Sequence, residues 1–259
     1  MTTYQLPKVW KNTHKIPGSN QETAGSRFEQ KLPRGENPYQ LFTLGTPNGI
    51  KPIIMFEELK ELDITDAPYD AFKINLGKQE QFGSDFTVIN PNSKIPALLD
   101  LSDSETINIF ESANILLYLA EKHDALISQN HATRTQELNW LFWQTGAAPF
   151  VGGGFGHFFH YAPEKLEYPI DRYTMETKRQ FDLLDKELAK RPYIAGDDYS
   201  IADIAIWSWY GQLAQDQLYD NAAEFLDLKS YKYLNQWTDK IAQRPAVKRA
   251  LEVTLKEIN

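Results

Sequence analysis

The 259-residue sequence contains no cysteine. That absence excludes a disulfide framework, zinc–thiolate and iron–sulfur sites, and catalysis through an enzyme thiol. Positive charge is in short supply: 27 lysines and arginines stand against 35 aspartates and glutamates, a net charge of -8. Non-specific nucleic-acid binding rests on neutralising phosphates, so nucleic acid is not an expected partner. No apolar run reaches the ~18 residues that span a bilayer, and the opening stretch MTTYQLPKVW has no apolar signal core. The expectation is a soluble, cytoplasmic protein without membrane contact. Hydrophobic residues at 42% and charged residues at 24% give a globular composition. The length holds one large domain or two ordinary ones.

Residues 1–37 read as an arm. Pro7, Pro17, Gly18, Gly25, Pro33 and Gly35 interrupt any helical or strand period, while Trp10 and Phe28 are candidates to pin the arm to a surface. From Tyr39 the pattern changes. Residues 40–44 read as a buried strand ending at Gly45. Residues 48–62 read as a helix with Pro52 in its first turn, and 69–74 alternate as a second strand. Segments 97–101 and 107–110 read as two more strands, close enough for a hairpin, and Glu111-Ser112 opens a helix. After His123 no convincing strand is visible, and 125–132 reads as a linker. Helical patterns then cover 134–143, 171–190 and a last helix starting at Pro245, with Val247, Leu251 and Leu255 as its stripe. Ser200-Ile201-Ala202-Asp203 fits a capping box with Asp in place of Glu. The expected fold class is α+β with two domains: a small mixed domain over 38–124 and an all-helical domain over 131–259.

Three segments can carry chemistry. In Asn92-Ser93-Lys94-Ile95-Pro96-Ala97-Leu98 a proline precedes a strand. A trans turn is the ordinary reading. A cis proline would instead leave Ile95 extended, with main-chain groups free to pair a peptide. In Phe110-Glu111-Ser112, at a helix start, free N–H groups and the Ser112 hydroxyl suit a carboxylate, and Glu111 suits an ammonium. Together they match the head group of an amino acid. In Gly45-Thr46-Pro47-Asn48-Gly49, between a strand and a helix, Thr46 and Asn48 offer donors to an anion over the helix N-terminus, although a plain turn capped by Asn48 is also open. The spacing is not that of a phosphate loop.

Taken together, NPNSKIPAL and FESANILLYLAEK resemble the thioredoxin-like domain of cytosolic glutathione transferases, and SIADIAIW resembles that family's N-capping box. LGTPNGIK, WLFWQTGAAPFVGGGFGHFFHYAPEK and AGDDYSIADIAIW resemble its nu class, bacterial enzymes related to a fungal prion-forming nitrogen regulator. The resemblance implies a glutathione transferase fold, with a thioredoxin-like N-terminal domain and an all-α C-terminal domain, and a homodimer. It implies Thr46 and Asn48 as catalytic residues. For glutathione it implies Pro47, Lys94, Ile95 and a cis Pro96, with Gln81, Glu111 and Ser112. Asn20 and Arg172 match contacts of a second glutathione. One position departs from the family: its glutamine before Gly-Ala-Ala-Pro is Thr145 here, with Gln144 one step earlier.

Glutathione is itself a thiol, with a free pKa near ~8.5. Thr46, Asn48 and a helix N-terminus each favour the thiolate. None brings a full charge, so a modest lowering of about 1–2 is expected. Without a cysteine, reduction of a disulfide or peroxide must draw both electrons from two glutathiones. The leading expectation is therefore a glutathione-dependent disulfide or peroxide reductase with no cofactor beyond glutathione. Conjugation of an electrophile near Phe150, Phe155 or Tyr161 is the enzymatic alternative, and a glutathione-transferase-like regulator the non-catalytic one. The His157–His160 pair lacks a third ligand, so no metal is assigned. The Gly152–Gly156 run reads as a loop or lid, and Trp140, Trp143, Trp207 and Trp209 read as core or interface packing.

Overall fold

Alternation along β1 (Tyr39–Thr43) sends side chains to both faces of a sheet, and the whole strand is buried. Leu41 joins a large core on one face, while Phe42 joins Phe72, Ala97 and Leu99 on the other. The computed structural model describes residues 5–11 and 22–258. Its sheet runs in the order β4-β3-β1-β2-β5. Strand β2 (Tyr69–Lys73) lies parallel to β1, and α1 (Ile50–Glu61) makes the crossover. Strand β3 (Ala97–Asp100) lies antiparallel to β1, and β4 (Ile107–Phe110) completes the hairpin with β3. Helix α3 (Ser112–Lys122) packs with α1 on the large core. This is the thioredoxin-like arrangement. The second face is covered by α2 (Ser84–Ile89), a short helix that the sequence reading did not detect; its Phe86 and Ile89 close the smaller core.

The helical half begins with α4 (His131–Pro149), where Asn130 Oδ1 accepts from the N–H groups of Ala132 and Thr133. The stretch before it is not a bare linker, because Ala125 and Ile127 are buried in the large core. Helix α4 runs straight into a π-helical segment, Phe150–Tyr161, where a loop or lid was expected. The glycines allow close packing rather than a turn: a Cβ on Gly152, Gly154 or Gly156 would strike Trp209, Tyr173 or Tyr219. Helix α5 (Glu167–Leu188) buries Thr177, Phe181, Leu184 and Leu188 as its period predicts. Helix α6 (Ile201–Ile206) opens with the capping box. Asp203 is fully buried, and burial lifts its pKa to about 6 against the bonds it accepts from Ile194 N–H and Trp237 Nε1. A second π-helical segment, Trp207–Gly211, follows, then short α7 (Gln212–Ala214) and α8 (Ala222–Phe225). Helix α9 (Lys232–Ala242) precedes α10 (Pro245–Glu252), which starts on Pro245 as expected.

Two expectations for the C-terminal end need correction. Helix α10 buries Ala246, Val247 and Ala250, whereas Leu251 is exposed. A strand does follow His123: β5 (Lys256–Glu257) pairs parallel with β2, so the helical half returns to the sheet. Its two-residue length gives no readable period. Of the arm, Trp10 and Phe28 are both exposed, so neither ring pins it. The main chain does so, through Arg27 N–H to Phe82 O (2.8 Å) and Ser84 N–H to Phe28 O (3.0 Å), with the Arg27 guanidinium 3.3 Å above the Phe82 ring.

Candidate active site

The loop between β1 and α1 is tied to itself. Thr43 Oγ1 donates to Gly49 O (2.8 Å), and Gly49 N–H donates to Thr46 Oγ1 (3.1 Å). A Cβ on Gly49 would lie 1.9 Å from Leu44 O, so this position takes only glycine. Because the Thr46 oxygen accepts, its hydroxyl proton remains to be donated. Gly49, not Asn48, is the residue at the helix cap, so the plain capping role is set aside. Asn48 Oδ1 instead accepts from Trp209 Nε1 (2.8 Å) and Lys51 Nζ (2.9 Å). Both partners are pure donors, which fixes the amide orientation and leaves Nδ2 as the donor.

Helix α3 supplies the opposite wall. Glu111 precedes it with φ 66°, a conformation that costs a non-glycine residue energy, and no side chain caps the helix. The first N–H groups of α3 are thus available to an anion beside the Ser112 hydroxyl. The Ile95–Pro96 bond is cis, which replaces the ordinary trans reading. Ile95 lies just outside β3, whose first paired residue is Ala97.

These segments meet around a cleft of about 820 Å³ lined by Thr46, Pro47, Asn48, Ile95, Glu111 and Ser112, with Lys94 at its side. A smaller adjoining recess of about 170 Å³ adds Pro96. Eight of the eleven sequence-derived site residues therefore converge. Gln81 and Arg172 line neither space: Gln81 is buried with Oε1 unpartnered, and Arg172 is exposed on α5. Asn20 lies outside the described residues.

The sequence reading missed the floor of the cleft. Lys51, 1% exposed, extends Nζ to Asn48 Oδ1, to Ser112 Oγ (3.2 Å) and to Gln144 Oε1 (2.8 Å). Burial lowers its pKa to about 7, while the Glu111 charge acts in the opposite direction. Gln144 keeps Nε2 buried without a partner. Thr145 also lines the cleft and donates its hydroxyl to Leu141 O (3.1 Å), so the departure from the family pattern changes one wall. Trp209 belongs to the site rather than to packing alone. The aromatic wall is Trp209, Tyr161 and Tyr219, with Tyr219 at φ 58°. Phe155 is fully buried and Phe150 does not line the cleft, which removes both as electrophile contacts. The one available signal for Lys51 was its position, a lysine set among Ile50, Pro52, Ile53 and Ile54.

A mixed thioredoxin-like sheet joined to a helical domain, with a donor-lined cleft between them, defines a class, and sequence comparison agrees. The chain belongs to the glutathione S-transferase family of glutathione-dependent enzymes. Residues 48–121 match the family's N-terminal domain and residues 167–240 its C-terminal domain. The disulfide-bond oxidoreductase YghU of Escherichia coli is 53% identical over 95% of this chain and 87% of its own. The glutathione transferase YghU from Streptococcus pneumoniae, solved in complex with glutathione, is 62% identical. It superposes with a TM-score of 0.98 over 99% of this chain and all of its own. A glutathione transferase from Burkholderia graminis, solved with two glutathione molecules per subunit, is 35% identical, with a TM-score of 0.76 over 83% of this chain and 88% of its own. Among the described residues no helix is long and apolar enough to cross a membrane.

Proposed function

We propose that this protein is a glutathione-dependent disulfide reductase that binds two glutathiones in one cleft and uses no enzyme cysteine. The observation that carries the reading is the pairing of a cysteine-free chain with a cleft of about 820 Å³. That volume is toward the upper end of the ~300–1,000 Å³ usual for ligand pockets. The first glutathione pairs its main chain with Ile95 and places its head group on Glu111 and Ser112. Pro47, Lys94 and Pro96 shape its bed, and Thr46 and Asn48 face its sulfur. Its thiolate attacks one sulfur of a small disulfide, forming a mixed disulfide and releasing the other sulfur as a thiolate. The second glutathione, as thiolate, attacks the glutathione sulfur of that mixed disulfide. Glutathione disulfide leaves with the second substrate thiolate, and the two protons lost by the glutathiones balance the two product thiols. A peroxide is reduced by the same two electrons, with water and an alcohol as products. The relatives named for disulfide-bond oxidoreduction and for two bound glutathiones support this reading.

Arg172, exposed on α5 outside the cleft lining, is the candidate for a glycyl carboxylate of the second tripeptide that extends beyond that lining. A guanidinium grips such a carboxylate with two parallel bonds. Asn20 and Gln81 are further candidate contacts, and the working unit is proposed to be a cytoplasmic homodimer. The aromatic wall of Trp209, Tyr161 and Tyr219 supports a second reading, conjugation of glutathione to an aromatic electrophile. Titration calorimetry decides between them. The reductase reading expects about two glutathiones per subunit, falling toward one in Arg172→Ala. A single site in the unaltered protein removes it and promotes conjugation.

A further inference from the structure

Lys51 puts a buried cation in the lining of a cleft where Thr46 and Asn48 offer only neutral groups. Its four-carbon stem is sealed between α1, α3 and α4, and Nζ ends on three neutral acceptors: Asn48 Oδ1, Ser112 Oγ and Gln144 Oε1. No salt bridge includes Lys51 among the described residues. A cation taken out of water without a carboxylate partner is costly, and a site that retains one is built to receive an anion. Gln144 points the same way independently. It lines the cleft, and its Nε2 is buried with no acceptor.

We propose that Lys51 is the positioning and charge-supplying residue of the thiol subsite: its ammonium orients Asn48 and Ser112 and stabilises the glutathione thiolate formed above them. The inference rests on the glutathione reading and goes beyond it, because it assigns the charge that Thr46 and Asn48 lack. With Oδ1 held by Lys51 and Trp209, Asn48 keeps Nδ2 as its donor. By donating to Ser112 Oγ, Lys51 holds that hydroxyl beside Asn48 Oδ1, to which Ser112 Oγ donates at 3.5 Å.

Proton balance follows from burial. In the open cleft Lys51 titrates at about 7. An anion nearby raises it, and a protonated Lys51 lowers the thiol, so the two ionisations favour each other. Where Lys51 is already the ammonium that donates all three bonds, the S–H proton of glutathione leaves to solvent; where Lys51 is neutral, Nζ takes that proton up. Either way a thiolate–ammonium pair results. The surroundings contain few competing charges. Glu111 at the start of α3 opposes the burial effect, and Lys94 stands on the cleft side. Helix α4 presents neutral Gln144, and the Trp207–Gly211 segment presents neutral Trp209. On α3, Lys122 is engaged at the far end with Asp100, and on α6 Asp203 is held in its capping box. Helix α10 packs on α1 with Arg244 and Arg249 already paired to Glu58, Glu57 and Glu61.

The test is an ultraviolet titration of bound glutathione thiolate in the full-length protein and in Lys51→Met. The half-ionisation point should rise by about 1–2 pH units in the variant, with kcat/KM near neutral pH falling roughly 10–100-fold. Affinity for S-methylglutathione, which cannot ionise at sulfur, should fall less than affinity for glutathione, because it loses only the Ser112 orientation that Lys51 supplies. Lys51→Gln keeps a donor without the charge and gives the same comparison should the methionine variant unfold. An unchanged thiolate titration overturns the proposal. So does an equal loss of S-methylglutathione and glutathione binding, which reduces Lys51 to a structural prop. Failure of the unaltered protein to bind S-methylglutathione at all would instead overturn the glutathione reading itself.

Discussion

At Thr46 one oxygen has two tasks. It accepts the Gly49 N–H that closes the loop, and in the proposed reaction its proton is donated to the glutathione sulfur. Thr46→Ala removes both, but the loop keeps the Thr43–Gly49 bond and the Ile50 N–H to Thr46 O bond. Stability should therefore fall by only about 1 kcal/mol, while disulfide-reductase turnover falls roughly 10–100-fold. Unchanged turnover, measured beside an unaltered melting midpoint, would remove Thr46 from the mechanism. Lys51 makes a prediction about stability as well. Its folded pKa of about 7 lies below the ordinary 10.5, so between these values the unfolded chain binds the extra proton. Stability conferred by this position rises as pH climbs through that window. The penalty is fully present below about pH 7 and is gone above about 10.5, a span on the order of 5 kcal/mol. Chemical denaturation of Lys51→Met and the unaltered protein at a series of pH values should give curves that converge or cross toward high pH. Parallel curves would contradict the assigned burial cost.

Among the elements, the two π-helical segments meet at one close contact, and that contact shapes the active site. Gly152 faces the Trp209 ring so closely that a Cβ would lie 2.4 Å from Cη2. Gly152→Ala must displace Trp209, and with it the Nε1 bond that fixes Asn48. Turnover should fall at least tenfold while most of the fold stands, since overpacking costs about 1–3 kcal/mol. Gly146→Ala, with nothing within 4 Å of the added Cβ, should gain up to about 1 kcal/mol of stability in α4. Equal behaviour of the two variants in activity and melting assays would contradict the packing argument. This contact also marks where sequence reading stopped. Helices α5 and α6 were legible because their apolar period and capping box are local patterns. A glycine run looks the same in a loop and in a helix wall; only the rings at 173, 209 and 219 tell them apart. In the site, Thr46-Pro47-Asn48, Ile95-Pro96 and Glu111-Ser112 were legible because each is contiguous. Lys51 was not, because its acceptors at Ser112 and Gln144 lie 61 and 93 residues away.

Across the whole molecule, the sheet domain and the helices are joined by more than the chain between them. Glu58 on α1 is fully buried and accepts two bonds from Arg244, at 2.6 and 2.7 Å, and β5 returns to β2. Removing one partner of such a pair strands a buried charge, so Arg244→Ala should cost roughly 3–5 kcal/mol. Calorimetry should still find a single transition for both halves. Two separated transitions in the unaltered protein would contradict this coupling. The central claim is that two glutathiones meet in one cleft of a protein that has no thiol of its own. Rapid-quench analysis of enzyme preloaded with glutathione and mixed with a small disulfide tests it most directly. Both thiols bound predicts about one glutathione disulfide per subunit in the first turnover, at a rate independent of free glutathione. A burst of mixed disulfide, cleared only in proportion to added free glutathione, would contradict it.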